Sequence, residues 1–292
     1  AIGFPTPVLE MAVTARARAD EDKLANALHR LVDEDPVLTV TRNSETHQTL
    51  LGGLGETHLR NVVARLERKF GVQVDSEDVR VAYRETITAK SSAEGRYKKQ
   101  SGGHGQFGIA SIRIEPLPAG SGLEFVDEVT GGAIPRQFIT AVEAGVAEAM
   151  AQGGLSGYPV VDVKVAVVDG KHHSVDSSEM SFKMAGRLAF QGALGGARCV
   201  VLEPVMAVEV TIPSECLGDV MGDLSSRRAT VQGSELDRWG AQVISAMAPE
   251  AEMLRYSIDL RSITGGRGRF TAQHDHYSRV PAGVEVPAPP EG

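Results

Sequence analysis

A chain of 292 residues with 42% apolar and 23% charged side chains can form two or three domains with cores of their own. Its net charge of −8 argues against indiscriminate binding of nucleic acid over the whole surface, but leaves room for RNA contact by local basic loops. The only cysteines, Cys199 and Cys216, exclude a disulfide framework and a cysteine-rich zinc site. No apolar run reaches membrane-spanning length and no signal-peptide pattern opens the chain, so we expect a cytoplasmic protein without a membrane partner.

Residues 1–81 alternate between strand and helix patterns. The first helix carries its leucines on one face and stops before Pro36, which cannot continue a helix. The second has one apolar stripe and ends at Gly71, a residue suited to a left-handed cap. These patterns predict the order β-α-β-β-α-β, the split β-α-β arrangement of ferredoxin-like domains. Strands are predicted at 8–13, 37–41, 49–51 and 72–74.

The middle part, residues 82–203, has a different pattern. Its basic, glycine-rich stretch 95–108 is interpreted as a projecting loop. The polar turn 169–178 leads into a second helix, whose start we assign to Asp176, with Glu179 completing a capping-box-like pair. The other predicted elements are strands at 79–87, 109–115, 123–129 and 160–168 and a helix at 135–150.

Residues 204–280 repeat the first pattern in outline. Ser214 is a suitable N-cap for the first helix of this part. Further strands are predicted at 205–212, 229–232, 241–247 and 268–274, with a second helix at 249–257. Residues 281–292 are rich in proline and lack periodicity, so we predict a disordered tail. The chain is therefore predicted to be α+β, with two split β-α-β units flanking a distinct middle domain.

Two stretches carry the polar chemistry of the middle part. In the stretch 95–108, Arg96, Lys98 and Lys99 precede a cluster of glycines, and the turn 169–178 contains two adjacent histidines. Glycines let a backbone approach RNA closely, while basic side chains meet phosphates. An imidazole can donate to a phosphate or a ribose hydroxyl and can stack on a base. Local RNA contact is therefore predicted despite the acidic net charge.

Three other interpretations of these motifs are weaker. Residues 103–108 satisfy G-x-G-x-x-G, but they follow a polar run and open a strand, so dinucleotide binding is not predicted. The aspartate, histidine and serine of the turn 169–178 suggest a hydrolase triad, but no nucleophile elbow accompanies them. The histidines at 274 and 276 lack further ligands, so no metal site is predicted. No catalytic residue is assigned to this chain.

Together, the stretches 95–108 and 169–178 resemble the two tip loops of domain IV of translation elongation factor G. The turn 52–59 is similar to the glycine-rich turn of that family's domain III, with a threonine where leucine is commoner, and 264–270 is similar to a domain V segment. The resemblance extends from about residue 4 to about residue 281. It implies three domains: a ferredoxin-like domain III at 1–81, an S5-domain-2-like domain IV at 82–203, and a ferredoxin-like domain V at 204–280, before the tail at 281–292.

The resemblance also implies the partners and the site. His173 falls on the histidine of the family's Tyr-His-x-Val-Asp-Ser-Ser motif, which reaches transfer RNA at the decoding site of the ribosome. Arginines of domain V lie near large-subunit ribosomal RNA in that family. The predicted RNA- or ribosome-binding residues are Lys171, His172, His173, Asp176, Lys98, Lys99, Gly102, Gly103, His104, Arg227, Arg228, Arg267 and Arg269.

Departures from the family pattern fall on the same loops. Histidine stands at His104 where the family usually has arginine, and Phe107 and His172 replace tyrosines. Lys171 stands where a small polar residue is usual. These changes favour an elongation-factor-G-like paralogue. The sequence also lacks a P-loop, so GTP and magnesium would belong to a missing N-terminal GTPase domain, and we expect the chain to be a fragment of a longer GTPase.

Two alternatives stay open. A tetracycline ribosomal-protection protein shares these domains, although the retained His-x-Val-Asp-Ser-Ser loop counts against it. A small-molecule kinase of the S5-like group would place its glycine-rich loop around phosphates, but would leave the flanking β-α-β-β-α-β units unexplained. We expect a monomer that acts in translocation or in ribosome recycling.

Overall fold

A computed structural model describes residues 7–43, 45–100 and 105–289 of the chain. It is an α+β protein, as predicted, with strands arranged in three sheets. The chain forms two compact units. Of the described residues, those up to 82 belong to one unit together with 204–276, and those of 83–203 belong to the other together with 277–289. Among the helices that are described, none combines the length and the apolar character needed to cross a membrane.

The first part of the chain forms a four-stranded sheet in the order β2-β3-β1-β4. The helix α1 buries Leu24, Leu28 and Leu31 against it, and α2 ends at Gly71, which has a φ of 62°. This strand order with two helices is the split β-α-β arrangement that the sequence predicts. The elements are β1 (Leu9–Ala15), α1 (Glu21–Glu34), β2 (Thr39–Arg42), β3 (Thr49–Gly53), α2 (Glu56–Phe70) and β4 (Val74–Glu77).

The middle part forms a second four-stranded sheet, in the order β6-β7-β9-β8. The strands β8 and β9 are parallel and are connected through α3. Phe138 of α3 stacks on Phe182 of α4 with ring centroids 4.9 Å apart, inside a core of aliphatic strand residues. The elements are β5 (Arg84–Ile87), β6 (Ser91–Gln100), β7 (Gly105–Pro116), β8 (Leu123–Asp127), α3 (Arg136–Gln152), β9 (Val163–Lys171) and α4 (Glu179–Leu194).

The last part repeats the topology of the first. Its strands have the order β11-β12-β10-β13, and β5 pairs with the first four residues of β10. The second split β-α-β unit of the prediction is therefore confirmed, with its own core around Val210, Leu224 and Tyr256. The elements are β10 (Cys199–Pro213), α5 (Leu217–Ser226), β11 (Thr230–Leu236), β12 (Ala241–Pro249), α6 (Glu250–Met253), α7 (Tyr256–Thr264) and β13 (Arg269–Arg279).

The predicted loop at 95–108 is largely strand. Residues 91–100 pair continuously with β7, so Lys98 lies opposite Phe107 and Lys99 opposite Gln106. Gly95 packs under α4, because a Cβ at this position would lie 2.0 Å from the carbonyl oxygen of Ala185. The glycine that suggested a flexible segment therefore serves close packing between helix and sheet.

Other predicted element boundaries also differ from those in the structure. The strand predicted at 79–87 starts only at Arg84, the strand predicted at 160–168 runs over Val163–Lys171, and the helix predicted at 249–257 is two helices, α6 and α7. The strand β9 therefore includes the first three residues of the predicted polar turn. Cross-strand pairing with β7 extends it, and single-sequence periodicity carries no information on that pairing.

The close approach of α3 and α4 gives a first prediction. A Cβ at Gly145 of α3 would lie 1.9 Å from the carbonyl oxygen of Lys183 in α4. Gly145→Ala should therefore destabilise the protein by about 1–3 kcal/mol through overpacking. Gly222→Ala in α5 is the matched control, because a Cβ there meets nothing within 4 Å, and it should stabilise by roughly 0.5–1 kcal/mol. Scanning calorimetry measures both, and shifts of equal sign would contradict the packing argument.

A buried carboxylate gives a second prediction. Oε1 of Glu85 accepts from the amides of Ser156 (2.8 Å) and Tyr158 (3.0 Å), and burial raises the pKa of Glu85 above its ordinary value of 4.5. The folded protein thus binds a proton on Glu85 more tightly than the unfolded chain does. The protonated carboxyl group therefore contributes its full stabilisation of the folded state below pH ~4.5, and this stabilisation is lost as the pH rises through the raised pKa. Glu85→Gln should flatten this decline in urea-unfolding free energy.

The control for Glu85 has the opposite sign. An ion pair with Lys183 lowers the pKa of Glu148, so its stabilisation is present at neutral pH and is lost as the pH falls. Glu148→Gln should therefore lower the free energy of unfolding at neutral pH and change it little at acidic pH. If the free energy of unfolding of both variants depended on pH in the same way, the raised pKa of Glu85 would be contradicted.

Candidate functional site

The tip loop, residues 172–178, connects β9 to α4 and is docked on the first residues of β7. The Phe107 amide donates to the Asp176 carbonyl (2.8 Å), and the Ser177 hydroxyl donates to the Phe107 carbonyl (2.8 Å). The Gly105 amide donates to the Asp176 carboxylate (3.1 Å). Three hydrogen bonds thus hold a short polar loop at the end of the sheet.

His173 is oriented by its own loop. Its amide donates to the Ser177 hydroxyl (2.8 Å), and its ring Nδ1 accepts from the amides of Val175 (3.3 Å) and Asp176 (3.2 Å). Two amides donate to Nδ1, and this geometry favours the tautomer with the proton on Nε2. Nδ1 also lies 3.4 Å from Oδ2 of Asp176. The side chain is 53% exposed, and Nε2 has no hydrogen-bond partner among the described residues. The loop therefore presents an N–H donor to an incoming ligand.

The helix start differs from the prediction. The N-cap of α4 is Ser178, whose hydroxyl accepts from the Ser181 amide at 3.2 Å. Asp176 does not cap the helix, because its carboxylate is directed to Gly105 on β7. The spacing of Asp176 and Glu179 fits a capping box, but tertiary contact with β7 gives the aspartate a different partner. Its role is to dock the tip loop.

Three lysines lie near this loop. Lys171 is the last residue of β9 and is exposed. The Nζ of Lys98 lies 5.1 Å from the centroid of the Phe107 ring, and that of Lys99 lies 5.7 Å from the Tyr97 ring. Within the described ranges, none of the three forms an ion pair with an acid. Their positive charges are therefore available for phosphates.

The remaining predicted tip residues are placed differently. His172 is exposed, and its Nδ1 lies 3.2 Å from the carbonyl oxygen of Ala133. Gly102, Gly103 and His104 lie outside the residues that the structure describes. Their predicted RNA contact stays a prediction. The tip site is thus defined by the lysines and the tip loop.

The paired arginines after α5 have internal partners. Arg227 binds the carboxylates of Asp223 (2.8 Å) and Asp259 (2.6 Å) and the carbonyl of Glu252 (2.8 Å), and its side chain is only 16% exposed. Arg228 binds the carboxylate of Glu252 at 3.0 Å. These bonds connect α5 to α6 and α7. The donors of Arg227 are therefore already used inside the fold, which weakens its predicted role in RNA contact.

The other two predicted arginines lie after α7. Nη1 of Arg267 binds Glu215 at 2.7 Å, and its Nε donates to the carbonyl of Thr264 at 3.2 Å. Arg269 begins β13 and is exposed, without an ion pair among the described residues. Arg269 is therefore the more available of the two for a phosphate.

The sequence did not assign roles to Phe107 and Ser177. Phe107 supplies a carbonyl and an amide to the tip loop, and its ring centroid lies 6.2 Å from that of His173. Ser177 bonds both His173 and Phe107. Its place inside the Val-Asp-Ser-Ser motif was the available signal. Nothing in the sequence alone indicated which strand it would contact.

Family comparisons agree with this architecture along nearly the whole chain. Residues 4–78 match elongation factor G domain III, residues 79–198 match elongation factor G domain IV, and residues 200–285 match the elongation factor G C-terminus. The chain is therefore part of a translation factor. It belongs to the elongation factor G family, and none of its matched regions is a GTPase domain.

A solved structure from Thermus thermophilus, the crystal structure of ttk003000868, is similar to this chain. The TM-score is 0.85 at 40% sequence identity. The match covers 97% of this chain but only 42% of the Thermus protein. This chain therefore spans less than half the length of the structure that it matches.

The docking of the tip loop gives a third prediction. Asp176→Ala removes the carboxylate that accepts from Gly105, at a cost of about 1 kcal/mol, or roughly fivefold in local opening. Amide hydrogen exchange, followed by NMR, should accelerate at Gly105 and across residues 172–178. Asp176→Asn keeps an oxygen acceptor and should change exchange far less. Equal acceleration in both variants would show that charge, and not this hydrogen bond, holds the loop.

Proposed function

We propose that this chain is the ribosome-binding part of a translational GTPase, and that its domain IV tip enters the decoding site during translocation or ribosome recycling. The observation that carries the proposal is the orientation of His173. Its Nδ1 is used inside the tip loop, so its Nε2–H is left to donate outward. An oriented donor beside cationic side chains suits a phosphate or a ribose hydroxyl of transfer RNA.

Local electrostatics support RNA as the partner. The chain as a whole carries a net charge of −8, so long-range attraction to RNA is weak. At the tip, Lys98, Lys99 and Lys171 are not paired with acids in the described part of the chain, and Asp176 is directed inward to Gly105. This separation of charge favours contact through the tip and disfavours contact through the rest of the surface.

Domain V would supply a second contact. Arg269 at the start of β13, and in part Arg267 in the glycine-containing segment before it, are exposed, and a guanidinium there can meet the phosphates of large-subunit ribosomal RNA. Arg227 and Arg228 contribute indirectly in this proposal, because their ion pairs hold α5 against α6 and α7. The contact set of domain V is therefore centred on β13.

GTP hydrolysis would be carried out by the longer GTPase of which this chain is proposed to be a part. Its GTPase domain would bind GTP and magnesium, and hydrolysis would seat domain IV in the decoding site. The chain would act as a monomer in the cytoplasm. The changes at Lys171, His172 and Phe107 favour a specialised paralogue, in which a flexible lysine supplements the histidine at the tip.

A binding experiment with purified 70S ribosomes tests the tip. His173→Asn places an amide oxygen near the position of Nδ1, so it should keep the loop bonds but lose the outward donor. We expect this variant to bind about 1 kcal/mol more weakly, or roughly fivefold, with unchanged hydrogen exchange in residues 172–178. His173→Gln is the complementary variant, because it can reach outward but loses the internal acceptor.

Lysine variants test the electrostatic part of the proposal. Lys171→Ala should weaken binding and reduce the slope of log affinity against log salt by about one unit. Lys164→Ala on the same strand is the matched control, because Lys164 is already paired with Glu124 at 2.6 Å. Equal losses of affinity in Lys171→Ala and Lys164→Ala would contradict the proposal that the tip contacts the ribosome. Unchanged binding by both Lys171→Ala and His173→Asn would contradict it as well.

A further inference from the structure

The only tryptophan of the chain, Trp239, lies in the turn between β11 and β12 and is 80% exposed. Tryptophan is usually well covered in a folded protein, so an isolated ring in solvent at the end of a hairpin is informative. The neighbouring Leu236 is also exposed, at 65%. The surrounding residues of the turn are Asp237, Arg238 and Gly240.

The turn that carries Trp239 is held rigidly. Oδ1 of Asp237 accepts from the amides of Trp239 (2.8 Å) and Ala241 (2.8 Å). Gly240 has a φ of 81°, in the left-handed region, and its amide donates to the Asp237 carbonyl at 3.1 Å. The Ser214 hydroxyl donates to the Gly240 carbonyl at 3.0 Å, which fixes the turn to the rest of the domain. A rigid turn lowers the entropic cost of using the ring for binding.

Arginines lie at the same end of this domain. The guanidinium of Arg238 lies 4.9 Å from the centroid of the Trp239 ring. Ser214, which binds the turn, is followed by Glu215, and Glu215 is paired with Arg267. The exposed Arg269 follows two residues after Arg267. Arg238 therefore lies against the exposed ring, and the segment that contains Arg267 and Arg269 is connected to the turn through Glu215 and Ser214.

We propose that Trp239 is a base-stacking residue, which receives an unstacked base of single-stranded or looped RNA while Arg238 and Arg269 meet the flanking phosphates. Aromatic rings stack on any base through its π face, and arginine adds a cationic plane to the stack. The inference rests on the proposed function, because it assigns the chemistry of the RNA that domain V would contact. It adds a specific contact that phosphate-binding arginines alone do not provide.

A protein partner fits this turn less well. Hot spots at protein interfaces sit in desolvated patches surrounded by residues that exclude water. Around Trp239 the only other large exposed apolar side chain of the hairpin is Leu236, and the remaining neighbours are charged, small or polar. Stacking needs only one open ring face, which this geometry offers.

The test uses the intrinsic fluorescence of the chain, which reports on Trp239 alone because no other tryptophan is present. The protein is titrated with single-stranded oligoadenylate and, separately, with a fully paired RNA duplex of the same length. We expect saturable quenching by the single strand and little by the duplex, whose bases are already stacked. Equal quenching by both, or none by either, would overturn the inference.

Variants are then compared by the anisotropy of labelled oligoadenylate. Trp239→Ala should weaken binding about 5- to 150-fold, the equivalent of ~1–3 kcal/mol for one stacked base, and Trp239→Phe should lose less. Leu236→Ala on the same hairpin is the control and should bind normally. Unchanged affinity of Trp239→Ala would contradict the stacking role. Matching losses for both variants would also overturn it, because the loss would then not depend on the aromatic ring.

The same variants separate this inference from the proposed function. His173→Asn should bind 70S ribosomes weakly but leave the quenching of Trp239 by oligoadenylate intact. If the tip variants weaken ribosome binding and Trp239→Ala changes nothing, stacking is wrong and the proposed function stands. If oligoadenylate quenches Trp239 but the tip variants bind ribosomes normally, the stacking stands and the tip assignment fails.

Discussion

The candidate site depends on the hydrogen bonds between the tip loop and the beginning of β7. Asp176 and Ser177 reach back to Gly105 and Phe107, so the loop takes its position from the sheet as well as from the helix that follows it. Gly105 allows this approach, since a Cβ there would lie 3.0 Å from the Asp176 carboxylate carbon. With the loop fixed, the ring of His173 has a defined inward nitrogen and a defined outward one. A free loop would have to order itself on binding, at an entropic cost.

Ion pairing separates the basic residues that build the fold from those that are available to a ligand. Arg227 has three acceptors and is almost buried, while Lys164 and Lys183 are each matched to a nearby glutamate. Of the lysines around the tip loop, by contrast, Lys98 and Lys99 lie near aromatic rings and Lys171 is exposed to solvent. Exposed cations without acids in reach retain their charge for phosphate, which is how an acidic protein can have a basic candidate site.

The two split β-α-β units share one strand order but use it with different sequences. In the first, the glycine-rich turn is held because the Leu54 amide donates to Nδ1 of His58, whose Nε2 lies 2.9 Å from Asp35. In the second unit, the helices are held by the ion pairs of Arg227 and by Tyr256, which packs against Phe270. The same topology can therefore be stabilised by quite different polar contacts, which is why strand order is the more robust link between them.

The sequence by itself determined the α+β class and both split β-α-β units, and it indicated the stretches 95–108 and 169–178 as the candidate site, because apolar periodicity and local motifs are properties of short segments. It could not determine that residues 91–100 form one strand, that Ser178 and not Asp176 caps α4, or that Arg227 is used internally. The first outcome depends on pairing with the neighbouring strand β7. The other two depend on partners distant in the chain, Gly105 beside Asp176 and Asp259 beside Arg227. Only the tertiary structure brings such partners within hydrogen-bonding distance, and their contacts override the local preferences that a sequence displays.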